Sequence, residues 1–271
     1  MSAKCDFHIH TKYLGCANET MEVDAVAAEC ERLGVECIGF TDHLNTPEQL
    51  PLHVPILEDI RRLRTRAAVY LGVELNFTGP DAGFVFSRQI KADYGFQFAV
   101  GGIHRTYVDS FELDKVIEIQ HRHHLRTCED ELVDVLAHPY WFSKTEFDQK
   151  GFPEFESVRA VPERLTRELA QAARETHTAI EINASANLVN RPDDYVQAYV
   201  DYLAILAEEG VTFALGSDAH VIGGLKHVHV AWEVARRLGM PAERLWRPPG
   251  EPIVGGRWGG QREFRNLEKK P

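Results

Sequence analysis

Short apolar runs alternate with amphipathic stretches along most of this chain. The runs are Cys5–Phe7, Cys37–Phe40, Val69–Val73, Phe98–Val100, Leu132–Ala137, Ala179–Ile180 and Val211–Leu215, and each reads as a strand. Between them apolar residues recur at helical spacing. Residues 23–33 place Val23, Val26, Ala27, Cys30 and Leu33 on one face, with Gly34 as a stop. Residues 56–67 repeat the pattern through Ile56, Ile60, Leu63 and Ala67, and Pro55 suits a first turn. A longer segment runs over 112–131, and further helices are predicted at 162–175, 193–209 and 224–238. Seven strands alternating with helices imply βα units, a parallel sheet and right-handed crossovers. The expected fold is therefore α/β, a distorted (β/α)7 barrel over residues 1–246.

From Arg247 onward the chain becomes rich in glycine, proline and charge (RPPGEPIVGGRWGGQREFRNLEKKP). Residues 247–271 are expected to form an arm or lid. Trp258 and Phe264 within it suggest docking onto the body or onto another subunit of a homo-oligomer.

The residues at the end of each apolar run carry the chemistry. The fragments are HIH at 8–10, TDH at 41–43, GVEL at 72–75, GGIH at 101–104, AHP at 137–139, EIN at 181–183 and GSDAH at 216–220. In a parallel barrel the C-terminal strand ends converge on the face that carries the active site. Imidazoles and carboxylates gathered there without metal would be a costly unpaired polar cluster. As a donor set they suit zinc, manganese or iron better than calcium. His8 and His10 alternate along a strand, so both rings point to one side. Glu74, with two oxygens, can bridge two ions.

Composition narrows the partners. An apolar fraction of 44% and a charged fraction of 26% are those of an ordinary globular protein. The formal charge of −11 argues against a non-specific nucleic-acid binder. Small anionic substrates stay open, because bound cations would make the site locally positive. No apolar run reaches the roughly 20 residues that span a bilayer, and the N-terminus lacks a signal-peptide core. Five cysteines without framework spacing fit a reducing cytoplasm.

HIHTKYLGCANETM at 8–21, TDH, the Glu of GVEL, GGIH, AHP and GSDAH stand in the order seen in the PHP family, named for polymerases and histidinol phosphatase, which this chain resembles over about residues 5–230. The resemblance implies one ion held by His8, His10, Glu74 and Asp218, and a second held by Glu74, His104 and His138. A third would use His43, His220 and a residue of the loop after His10. Histidinol phosphatase-like members carry a histidine six positions after the HxH pair, where this chain has Cys16. A thiolate is a competent zinc ligand, and Asn18 is a weaker donor within reach. Glu181 resembles a family position near the site, with a supporting or substrate-contacting role.

The resemblance also implies hydrolysis of a small phosphomonoester, histidinol phosphate-like, by two or three divalent transition metals (Zn, Mn or Fe) through a metal-activated hydroxide. Glu74, Asp218 and His220 would carry the chemistry. Arg105 and Arg191 come just after rim positions and are candidates for phosphate contact. A nucleotide phosphatase or phosphodiesterase with the same metals, or a catalytically silent metal-binding module, are the alternatives. His121, His123 and His124 fall in the long predicted helix and read as a solvated or partly packed face. His227 and His229 read as helix surface, and His53 and His177 have no supporting context.

Overall fold

A computed structural model describes residues 4–108, 112–142 and 155–256. The strands are β1 (Cys5–Ile9), β2 (Cys37–Phe40), β3 (His43–Leu44), β4 (Ala68–Asn76), β5 (Phe98–Gly102), β6 (Val135–Leu136), β7 (Ala179–Asn183) and β8 (Phe213–Gly216). All pairings between them are parallel, in the order β1-β2-β4-β5-β6-β7-β8, with β3 also beside β4. β3 continues β2 in the same register, since Phe40 faces Leu71 and His43 faces Glu74. The chain therefore has seven staves, one broken at Thr41 and Asp42. Closure between β8 and β1 comes at the upper rim, where Ile9 bridges Ala219 and the Asp218 amide donates to the His8 carbonyl at 2.8 Å. This is the distorted (β/α)7 barrel that the pattern predicts.

Helices α1 (Val23–Arg32), α2 (His53–Arg62), α3 (Arg88–Asp93), α4 (Leu113–Cys128), α5 (Glu163–Thr176), α6 (Ala184–Asn187), α7 (Asp193–Glu208) and α8 (Val228–Arg237) cover the barrel. Inside it, Phe7, Phe98, Val100, Val135, Ala179 and Ala214 form a small core. Phe98 is fully buried, so truncating it to alanine would cost about 3–5 kcal/mol. Among the described residues, no helix is long and apolar enough to cross a membrane.

Three expectations change. The second helix ends at Arg62, not 67, because Glu31 accepts bonds from the Thr65 hydroxyl and the Arg66 amide, both at 2.6 Å, and turns the chain into β4. The short helices α3 and α6 give no periodic signal in the sequence. His121, His123 and His124 are not a solvated face: all three are buried. His123 packs on Phe77 with ring centroids 4.8 Å apart, and His124 packs edge-on to Tyr140 at 4.7 Å.

The first part of the predicted arm lies at the barrel end away from the ligand fragments. Val254 of the arm pairs antiparallel with Val69 near the start of β4, and Trp246, just before the arm, packs against Phe7 and Phe98. Trp258 and Phe264 lie outside the described residues.

Candidate metal centre

The predicted ligands are delivered by six strand ends to one basin. Glu74 lies at its middle, almost fully buried. Its Oε2 is 3.3 Å from His8 Nε2, 3.5 Å from His10 Nε2 and 2.8 Å from His43 Nδ1. Its Oε1 is 3.2 Å from Nε2 of both His104 and His138. Each oxygen thus faces its own set of imidazoles, the arrangement a bridging carboxylate needs. Asp218 closes the other side, with Oδ1 at 3.2 Å from His10 Nε2, 3.7 Å from His8 Nε2 and 3.5 Å from His220 Nδ1.

Space and backbone are arranged for this crowding. A Cβ on Gly216 would lie 2.2 Å from Glu181 Oε1 and 2.6 Å from His8 Cβ, and one on Gly102 would lie 2.7 Å from Glu74 Oε1. Only glycine fits at either strand position. His138 and Asp218 adopt positive φ of 27° and 55°, a cost of about 1–3 kcal/mol each that functional sites commonly carry.

The donor set fits divalent transition metals. His8 Nε2, His10 Nε2, His43 Nδ1 and Glu74 Oε2 are buried and lack an aligned hydrogen-bond partner, although they crowd one another. Buried donor atoms crowded together without hydrogen bonds between them are what a cation would satisfy. Three groups have donor atoms within 4.8 Å of one another: His8, His10 and Glu74; His43, Glu74 and His104; and His10, Cys16, His43 and His220. The groupings differ from the expected partition: Asp218 and His138 fall in none of the three, His43 joins Glu74 and His104, and His10 joins Cys16, His43 and His220.

Electrostatics point the same way. Burial alone would raise the Glu74 carboxyl, but His43, His104 and His8 hold it well below the usual range. Burial likewise opposes ionisation of Asp218, yet His8 and His10 keep it far down. Burial pushes His10 down to about 3 against the pull of Asp218, leaving a neutral ring able to donate a lone pair. At His8 burial disfavours a charge, but Glu181, Asp218 and Glu74 outweigh it and raise the group well above normal.

Supporting residues orient the ligands. Glu181, buried, takes His8 Nδ1 at 2.7 Å on Oε1, and on Oε2 accepts from the His138 amide at 2.9 Å and from Asn183 Nδ2 at 3.0 Å. Asn183 Nδ2 also reaches Asp218 Oδ2 at 3.2 Å, while its Oδ1 caps α6 through the Ala186 amide at 2.8 Å. The Asp42 carboxylate fixes the turn after His10 by accepting from Thr11 N and Oγ1. His53 Nε2 lies 3.2 Å from the His43 carbonyl. Sequence reasoning does not single out Asn183, Asp42 or His53 as site residues. The EIN and TDH fragments contain the first two, whereas His53 leaves no signal because its partner is ten residues away.

The remaining candidates spread outward. Cys16 Sγ is 3.7 Å from His10 Nδ1. Asn18 Oδ1 accepts from Thr20, and the Asn18 amide donates to the His220 carbonyl at 3.0 Å. Arg105 stacks over Tyr107 at 5.0 Å, and Arg191 donates to the Ala186 carbonyl at 2.8 Å while lying over Tyr195. The basin opens into a cavity of about 340 Å³, walled by His43, Glu74, His104, His138, Asp218 and His220 and by Trp141, Ser185 and Ala186. Neither arginine lines it.

Comparison with known proteins finds relatives along nearly the whole chain. A "Probable phosphatase" of Syntrophotalea carbinolica is 25% identical over 254 residues, covering 90% of this chain and 92% of that protein. A second "Probable phosphatase", from Shewanella piezotolerans, is 27% identical over 254 residues, covering 92% and 91%. The structure of histidinol phosphate phosphatase from Lactococcus lactis, solved with zinc, L-histidinol and phosphate, superposes with a TM-score of 0.58 at 18% identity, covering 88% of this chain and 94% of that one. The family model of the PHP domain matches residues 6–185, from the strand that carries His8 to the helix just after Asn183. By that match, the chain belongs to the PHP domain family.

Proposed function

We propose that this protein is a metal-dependent phosphoester hydrolase that cleaves a small phosphomonoester. The observation that carries the reading is Glu74, buried between two sets of imidazoles, one facing each oxygen. His8, His10, Glu74 and Asp218 would hold one divalent ion, Glu74, His104 and His138 a second, and His43, His220 and Cys16 a third, with zinc, manganese or iron as the fitting metals. Bound there, the ions would supply Lewis-acid activation of the phosphoryl group and of water.

The protein groups do the rest. Glu181 holds His8 with Nδ1 as the donor and Nε2 turned inward, which fixes the tautomer a ligand needs. Asn183 fixes Asp218 in the same way. Trp141, against His104 and His138, walls the cavity and limits water. Arg191 acts on the wall through Ala186, while Arg105, next to His104, is the guanidinium we assign to the incoming phosphate. A cavity of about 340 Å³ suits a compact ester, and the zinc, histidinol and phosphate complex of the Lactococcus lactis protein makes histidinol phosphate the first candidate.

Phosphate release from histidinol phosphate and p-nitrophenyl phosphate, compared with bis(p-nitrophenyl) phosphate, tests the reading in the presence of zinc or manganese. Faster turnover of the monoesters is expected. Preference for the diester would replace this reading with a phosphodiesterase, and metal binding without turnover of any ester would leave a silent metal-binding module.

A further inference from the structure

Among the described residues the histidines of the IQHRHH segment of α4 belong to none of the candidate ligand groups, yet the segment meets the candidate centre from behind. His138 φ is +27° and Tyr140 φ is +56°, so the turn that presents His138 to Glu74 contains two left-handed non-glycine residues flanking Pro139. Such a turn persists only where its surroundings over-determine it. Three buried side chains from three different elements do so. Glu181 of β7 accepts from the His138 amide at 2.9 Å, the Tyr199 hydroxyl of α7 donates to the Pro139 carbonyl at 3.1 Å, and His124 Nε2 of α4 accepts from the Tyr140 amide at 3.4 Å. Behind them the Tyr140 hydroxyl and His121 Nδ1 are 3.2 Å apart, and His121 Nε2 is 3.1 Å from Glu168 of α5.

We infer that His124 and Tyr199 are positioning residues that hold the His138–Pro139–Tyr140 turn in its left-handed form and so set the affinity of the ion bound through His138. The inference rests on the reading of His138 as a ligand. Bond accounting supports it. His124 can accept from the Tyr140 amide only as a neutral ring with its proton on Nδ1, and Nδ1 has no hydrogen-bond partner. Tyr199 is fully buried, and its hydroxyl bonds to the proline carbonyl that lies between the two strained residues. Without these bonds the turn would relax toward ordinary φ and carry the imidazole away from Glu74 Oε1.

The test is metal binding, read by stepwise chelator competition and by the visible spectrum of the cobalt-loaded protein. Tyr199→Phe keeps the ring and removes only the hydroxyl, His124→Leu removes the acceptor, and His124→Gln restores one. Tyr199→Phe and His124→Leu are expected to weaken one ion per chain by about 10–100-fold and to shift the cobalt spectrum, with His124→Gln closer to wild type. The ion at His8, His10 and Asp218 should be retained, and the metal-free Tyr199→Phe protein should melt near the wild-type temperature. Wild-type affinity and spectrum in Tyr199→Phe would overturn the inference while leaving the metal centre intact. Equal weakening of all ions together with a lower metal-free melting temperature would also overturn it, as plain destabilisation. A wild-type protein that binds no metal would remove the proposed centre and this inference together.

Discussion

Glu181 Oε1 lies 2.7 Å from His8 Nδ1, on the opposite side of the imidazole from Glu74. The carboxylate at the back of the ring turns its Nε2 lone pair toward the basin, and through Oε2 the same side chain holds the His138 amide. One buried acid therefore supports proposed ligands of two of the three ions. Glu181→Ala is predicted to weaken metal binding by about 10–100-fold, measured by chelator competition. Unchanged affinity would reduce Glu181 to a packing role.

Metal removal should lower stability, because ions that bind the folded chain and not the unfolded one stabilise it by mass action. At free metal 100-fold above the dissociation constant, each ion contributes about 2.7 kcal/mol. Melting temperature is predicted to fall by about 5–10 °C per ion on chelation and to recover when zinc or manganese is returned. A chelator-insensitive melting curve would contradict the proposed ligation.

Cys16, in the group with His10, His43 and His220, stands where the family resemblance leads one to expect a histidine. Cys16→Ser is predicted to lower metal content by one ion or to shift preference away from zinc, since a hydroxyl is a harder and weaker donor than a thiolate. Cys16→His should restore binding. Elemental analysis decides it, and unchanged content in Cys16→Ser would make Cys16 a loop residue only. Asn18, whose side-chain oxygen is engaged by Thr20, is poorly placed to substitute.

The buried helix histidines predict an acid limit. Burial pushes His123 down to about 4 and His124 well below its ordinary value. Both are neutral in the folded chain, whereas the unfolded chain takes up protons near pH 6.5. The unfolded state then binds more protons, so stability is full above about pH 6.5 and falls as pH drops toward 4. Urea titrations of the metal-free protein between pH 7 and 4 should show this decline, with a shallower slope in His123→Phe. A flat profile would contradict neutral burial of these rings.

Much of the centre is legible in the sequence because it obeys strand geometry. His8 and His10 flank one residue at a strand end, His138 comes directly after an apolar run, and His104 and Asp218 follow theirs within four residues. The hidden remainder depends on tertiary contacts. Nothing local shows that α4 turns His121, His123 and His124 inward, since their partners Phe77, Tyr140 and Glu168 come from distant segments. Arg105 and Arg191 look alike as rim guanidiniums, yet Arg191 is engaged by the Ala186 carbonyl.

The most direct test is phosphate release from a monoester by the metal-loaded protein and by Glu74→Ala, with metal content measured on the same samples. Because Glu74 would be shared by two of the three proposed ions, the substitution is predicted to reduce bound metal and to lower turnover by about a thousandfold or more, with the far-ultraviolet circular dichroism unchanged. Glu74→Ala that retains full metal content and hydrolyses the monoester at the wild-type rate would contradict the proposed centre.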